Sequence, residues 1–259
     1  MSLAQRGWQR FAHDPQIATW AAAARPIAAR LAADPAHHGA WLRHQGTWFV
    51  GVNLLPNDKD GTLPCGTPLG GQALHRARAL WSDAPLDAAQ VSILYPGYPK
   101  QDPEESDANH RFRKHRFAAH VDGLLPVGPN RRRMMKEPHA YVLGVPLTRT
   151  SAGAAPMVIW EGSHKIMQAA FRRAFAGIAP QDWQDHDITE VYQAARREIV
   201  DSCQLCEVHA QPGETYLIHR LALHGVAPWK EGAIAPPEGR MIAYFRPHLK
   251  RVADWLELD

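Results

Sequence analysis

The chain has 259 residues, with 29 Lys and Arg against 26 Asp and Glu, a formal net charge of +3. A composition 45% hydrophobic and 21% charged excludes global disorder, and so small a net charge argues against general nucleic-acid binding. No apolar run approaches the roughly 18–20 residues that cross a bilayer. Three cysteines cannot build a disulfide framework, and the first residues, with Arg6 and Arg10, hold no apolar core of signal length, so a cytoplasmic protein without a membrane partner is expected.

The spacing predicts a helix from Pro15 to about Ala33, broken or restarted at Pro26. The β-branched and aromatic run 47–55 reads as a strand, the cluster 57–61 as a turn, and 72–81 as a helix with Ala73, Leu74, Ala77 and Leu80 on one face. A strand over 91–95 stops at Pro96-Gly97, and a long polar loop follows over 99–114. Further strands are predicted at 117–121, 140–146, 155–160, 204–210, 214–219, 223–228 and 241–246, with helices over 163–175 and 188–200. Many short strands between Gly and Pro turns describe an all-β barrel or sandwich core with added helices. One domain is expected over 1–259, with 1–89 as N-terminal support, 90–248 as the β core with inserted helices, and 249–259 as a C-terminal helix.

His120-Val121-Asp122-Gly123 closes the strand expected at 117–121. Residues i and i+2 of a strand share a face, so an imidazole and a carboxylate project together and can fill two adjacent positions on one metal ion. Alone, the same pattern is met by a surface His–Asp hydrogen bond. Further on, Pro212-Gly213-Glu214 turns into an apolar strand that carries His219 and, after Leu223, His224; either could be a third ligand, and a histidine among apolar residues is equally a core residue. Arg240 opens the last strand, where a buried guanidinium needs an anionic partner to offset its desolvation.

With these residues the sequence resembles the iron(II)- and 2-oxoglutarate-dependent dioxygenases, and among them the phytanoyl-CoA dioxygenase-like group. The resemblance rests on His120-Val121-Asp122, on Ala155 through Lys165, on Pro212 through Gly225, and on Arg240, and covers roughly 90–248. It implies a mainly β fold with flanking helices, a double-stranded β-helix (jelly-roll, cupin-like) core with the metal at one open end. It implies His120, Asp122 and His224 as Fe(II) ligands and Arg240 as the partner of the distal carboxylate of 2-oxoglutarate. With O2, such an enzyme hydroxylates or desaturates a small organic substrate and releases succinate and CO2; a carboxylate at position 122 favours either over halogenation. Two imidazoles and one carboxylate on one face of an octahedral ion leave three open positions, the arrangement of non-haem Fe(II) oxygenases.

Arg246 is the rival for the cosubstrate, because alternation puts it on the same face as Arg240. Thr148 is a candidate contact near the cosubstrate, and the resemblance places Trp160 and His164 near the active-site mouth, although Ser163 as a helix N-cap accounts for that turn as well. A basic run over 111–136 includes Arg116 and Arg131–Arg133 and suggests an anionic substrate drawn to the site, with Arg116 and Arg131 as candidate contacts. Cys203 and Cys206, with His209 after them, have the spacing of a metal or redox pair but precede a strand-like run. The competing readings are a cupin-like isomerase or hydrolase using Zn or Mn without 2-oxoglutarate, and a non-catalytic binding module on the same fold. The primary substrate, its linkage to a carrier and the oligomeric state are not encoded in any motif of the chain.

Overall fold

The structure, a computed structural model, describes residues 2–81 and 84–257. In chain order its strands are β1 (Trp8–Phe11), β2 (Leu42–Arg43), β3 (Trp48–Gly51), β4 (Gln90–Leu94), β5 (Leu124–Val127), β6 (Arg132–Met135), β7 (Tyr141–Pro146), β8 (Met157–Trp160), β9 (Leu205–Val208), β10 (Thr215–His219), β11 (His224–Val226) and β12 (Arg240–Phe245). The helices are α1 (Leu3–Arg6), α2 (Pro15–Ala33), α3 (Pro35–Trp41), α4 (Gln72–Trp81), α5 (Asp107–His115), α6 (Ser163–Ala174) and α7 (Thr189–Ser202).

One sheet has the order β1-β10-β7-β12-β4-β3-β2 and a second the order β11-β8-β9, while β5 and β6 form a separate hairpin. Backbone hydrogen bonds between His120 and His224 extend the second sheet by one bridge beyond β11. From β4 onward the chain crosses to the second sheet at His120, returns for β7, crosses for β8 and β9, returns for β10, crosses for β11 and returns for β12. This antiparallel winding of two facing sheets is a double-stranded β-helix. From the N-terminal third, β1 lengthens the large sheet at one end, and β3 followed by β2 lengthens it at the other.

Alternation along β12 sorts the interior. Met241, Ala243 and Phe245 pack outward with Ile17 and Trp20 of α2 and Leu74 of α4. Ile242 and Tyr244 face inward with Val142 and Tyr216, against Met157, Ile159 and Val208 of the second sheet. A third cluster, with Val158, Trp160, Phe171 and Tyr192, lies where α6 and α7 cover the second sheet. Among the described residues, no helix is long and apolar enough to cross a membrane.

Several expectations are corrected. α2 runs unbroken through Pro26, whose ring is exposed; burial of Ile17, Trp20, Ala21, Ala24 and Ala28 on the opposite face outweighs the roughly 3 kcal/mol a mid-helix proline costs. The loop over 99–114 contains α5, begun by Ser106, whose hydroxyl accepts the Asn109 N–H at 3.3 Å. The strand over 117–121 does not form, because Phe117 and Ala118 take positive φ angles of 56° and 51° and only His120 is bridged. The helix expected over 249–259 is a 3-10 turn, Val252–Leu256, and residues 258–259 lie outside the described residues. Buried Arg220 takes up the carbonyls of Asp254, Trp255 and Glu257 that a longer helix would have used.

Candidate metal centre

Ala119 and Val121 point into the apolar cluster under α7, and the Val121 N–H donates to the Tyr192 hydroxyl at 3.3 Å. Extended backbone between them turns His120 and Asp122 to the opposite side, so the i, i+2 relation holds without a strand. Gly123 then reverses the chain at φ +81°, where an added Cβ would lie 2.0 Å from the Glu137 carbonyl oxygen. Across the bridge, His224 is placed by its neighbours. The helix cap expected of Ser163 falls to Gly162 instead, and the Ser163 hydroxyl accepts the Leu223 N–H at 2.9 Å. Gly225 lets the two segments touch, since a Cβ there would stand 2.3 Å from the Phe117 carbonyl oxygen.

The result is a convergence of three side chains. His120 Nε2 lies 3.3 Å from Asp122 Oδ1, and His224 Nε2 lies 3.8 Å from Asp122 Oδ2. One donor atom from each residue falls within 4.8 Å of the others, a set able to hold a metal ion. Both rings donate from Nδ1 to a carbonyl two residues back, His120 to Ala118 and His224 to Ala222, each at 2.9 Å. A carbonyl can only accept, so Nδ1 carries a proton in each ring, and Nε2 is the atom each ring turns toward the carboxylate. Orienting hydrogen bonds of this kind, from Nδ1 to a carbonyl, are what metal-binding histidines use.

Burial opposes ionisation of Asp122, but the hydrogen bond from His120 and the charges of His224 and Arg246 prevail and hold its carboxyl well below the usual range. Burial pushes the His224 imidazole down to about 4, against the raising effect of Asp122. Both residues are thus in their metal-binding protonation states near neutral pH. The side chains of His224 and Asp122 are 5% and 10% exposed, and that of His120 is 49% exposed at the mouth.

The three residues line a cavity of about 240 Å3 whose wall includes Trp48, Tyr98, Phe117, Gln90, Ser92 and Arg246. Trp48 and Tyr98 meet edge to face at 6.1 Å, and the Trp48 indole donates to the Ser92 hydroxyl at 3.1 Å. Arg246 Nη1 stands 3.9 Å from Asp122 Oδ1. Arg240 is at the other end of β12, 6% exposed, lining a separate recess with Tyr216 and Ile242. Its Nη1 is buried without a hydrogen-bond partner. Between the recess and the metal cavity, the hydroxyls of Tyr216 and Tyr244 share a hydrogen bond of 2.8 Å. Alternation with Arg240 and Arg246 was the signal that could have singled out Tyr244; nothing local marks Trp48, Tyr98 or Phe117.

The other candidates lie elsewhere. The Thr148 hydroxyl, buried next to Arg240, donates to the Gly239 carbonyl at 2.9 Å and accepts the Met241 N–H at 2.8 Å. Trp160 packs in the cluster under α6 and α7, at 6.2 Å from the Phe117 ring. His164 is buried on α6, bonded to the Ala4 carbonyl at 3.1 Å and 5.0 Å from the His219 ring, so neither histidine joins the cavity. Arg116 lines a groove with Phe112, Arg196 and Arg197, and Arg131 is exposed on the β5–β6 connection. Arg132 pairs with Asp187 and Glu190, and Lys136 with Asp185, so these members of the basic run are spent in surface pairs outside the cavity. Cys203 and Cys206 are free thiols and belong to no metal-binding group among the described residues.

No protein-family model matches the sequence, and no curated protein matches it. Similar solved structures include the non-heme alpha-ketoglutarate-dependent carbocyclase SnoK from nogalamycin biosynthesis, 15% identical over 97% of this chain and 85% of that one, with a TM-score of 0.49. EctD from S. alaskensis, with 2-oxoglutarate and 5-hydroxyectoine, is 16% identical over 95% of this chain and 73% of its own, TM-score 0.49. HygX from Streptomyces hygroscopicus, with nickel and 2-oxoglutarate bound, is 15% identical over 96% of this chain and 85% of its own, TM-score 0.48.

Proposed function

We propose that the chain is a non-haem Fe(II)- and 2-oxoglutarate-dependent dioxygenase of the phytanoyl-CoA dioxygenase-like group. In this reading it acts in the cytoplasm, hydroxylating or desaturating a small organic substrate with release of succinate and CO2. The observation that carries the proposal is the convergence of the two Nε2 atoms on the Asp122 carboxylate at the open end of a double-stranded β-helix. Iron, when bound, supplies the redox chemistry with O2 and 2-oxoglutarate. His120, Asp122 and His224 would hold it, next to the cavity they line.

Arg240 receives the remote carboxylate of the cosubstrate. A buried guanidinium nitrogen without an acceptor is costly, and a dicarboxylate end supplies what Nη1 lacks. The hydroxyls of Tyr216 and Tyr244 lie along the way as further donors. Trp48, Tyr98 and Phe117 give the cavity an aromatic wall that keeps water from the reacting C–H bond. The buried Nη1 of Arg240, which no described group accepts from, favours this reading over a zinc or manganese enzyme that binds no cosubstrate.

Anaerobic reconstitution with Fe(II) followed by 2-oxoglutarate tests it. The expected result is a visible charge-transfer band, absent in His120→Ala and Asp122→Ala and shifted to higher 2-oxoglutarate concentration in Arg240→Gln. A protein that takes up zinc and is indifferent to 2-oxoglutarate overturns the proposal.

A further inference from the structure

Arg246 has the surroundings of a guanidinium that awaits an anion. Its side chain is 15% exposed, and its only ion-pair partner among the described residues is Asp122, at 3.9 Å. Its Nε is buried without a hydrogen-bond partner. Two other carboxylates, Asp87 and Glu137, lie near enough for their charges to act on Arg246, but neither forms a close ion pair with its guanidinium among the described residues. Asp87 accepts the backbone N–H of Arg246 at 2.8 Å, and Glu137 pairs with His139 at 3.1 Å. Among the described residues that line the cavity, Asp122 is the only acid and Arg246 the only permanent cation.

Charge balance gives this arrangement a direction. A divalent ion, the Asp122 carboxylate, a dicarboxylate cosubstrate and the Arg240 guanidinium together sum to zero. Arg246 adds a permanent positive charge to the lining of an aromatic-walled cavity, where a charge without a close counter-ion is costly. Resting on the function proposed above, we infer that Arg246 anchors a carboxylate of the primary substrate, so that this substrate is a small monocarboxylic acid with an apolar or aromatic body. The planar fork of arginine matches a carboxylate in two-point contact. Trp48, Tyr98 and Phe117 receive the apolar body, and Gln90 and Ser92 provide the few polar contacts that fix its orientation. The cavity, about 240 Å3, exceeds the roughly 150 Å3 that holds benzene in a protein interior, which suits a compound of modest size. The acid is thereby selected at the metal itself, by one buried arginine, and not by the basic run around 111–136.

The test is a thermal-shift and calorimetric screen of the protein loaded with Ni(II) and 2-oxoglutarate. The probes are monocarboxylic acids of about four to about ten carbons, linear and aryl-substituted, each beside the primary amide of the same skeleton. At least one acid is expected to stabilise the loaded protein and bind at least about tenfold more tightly than its amide. Arg246→Gln should abolish that preference, and Arg246→Lys should keep part of it. Ni(II) uptake by both variants verifies that they are folded, and their 2-oxoglutarate affinity should change by less than about tenfold. Amides binding as well as acids, no acid binding at all, or a preference that survives in Arg246→Gln overturns the inference. So does loss of 2-oxoglutarate binding in Arg246→Gln with retention in Arg240→Gln, which would make Arg246 the cosubstrate clamp. If the wild-type protein itself fails to bind 2-oxoglutarate, the proposed function fails with it, and the two failures are told apart at that step.

Discussion

His120 and His224 donate their backbone N–H groups to each other's carbonyls, at 2.8 and 3.1 Å, so the two imidazoles that converge on Asp122 hang from a single bridge. In the proposed centre, metal affinity would therefore depend on backbone contact as much as on side-chain identity. Gly225 is where the contact is most easily broken. Gly225→Ala would drive a methyl group into the Phe117 carbonyl, separating the segments that carry the ligands. We expect a loss of about 1–3 kcal/mol in stability, read by denaturant unfolding, and a fall of at least about tenfold in Ni(II) affinity, read by calorimetry, although no ligand is altered.

Divalent metal should stabilise the fold through the same three residues. Ni(II) is expected to raise the melting temperature of the wild-type protein in proportion to the logarithm of its concentration, and to leave that of Asp122→Ala unchanged. An equal shift in both proteins would place the metal elsewhere.

Arg240 and Arg246 should separate kinetically once a substrate is in hand. Arg240→Gln removes a charge-assisted contact worth about 1.5–3 kcal/mol, so the KM for 2-oxoglutarate should rise about tenfold to a hundredfold or more while metal affinity stays near wild type. A variant whose 2-oxoglutarate KM is unchanged would exclude Arg240 as the clamp.

Burial lowers the His164 imidazole to about 4, away from the metal, against a small raising effect from its bond to the Ala4 carbonyl. The folded state then binds fewer protons than the unfolded chain between the ordinary histidine value near 6.5 and about 4. Stability is unaffected above that window and falls as pH drops through it, by about 1.4 kcal/mol per pH unit from this one group and about 3 kcal/mol in all. In His164→Phe the acid side of the stability profile should be flatter by about one proton. The rest of the slope should persist, because burial also lowers His219 well below its ordinary value. Urea unfolding between these pH values measures it.

Much of the architecture could be read from period alone. The inward residues of β12 and the helical stripe of α4 announce themselves because alternation and the i, i+3, i+4 spacing survive wherever one face is buried. The pairing of His120 with Asp122 was legible for the same reason, even though the strand assumed around it is a kinked bridge. α5 was not legible, since it buries no side chain and carries no apolar stripe. The β5–β6 hairpin was hidden because Leu125 is exposed and the arginines of β6 are only partly covered, which erases the alternation. The different fates of Arg240 and Arg246 were illegible in principle, because identical strand phase says nothing about which end of a barrel a side chain meets.

The unequal exposure of the three candidate ligands would set the order in which the proposed centre is taken apart. His224 and Asp122 are walled in, whereas the His120 imidazole meets bulk water. A chelator would then arrive over that ring, swinging it out before the other two donors are reached. Loading would run through the same doorway in reverse, with the outermost ring closing last behind the ion.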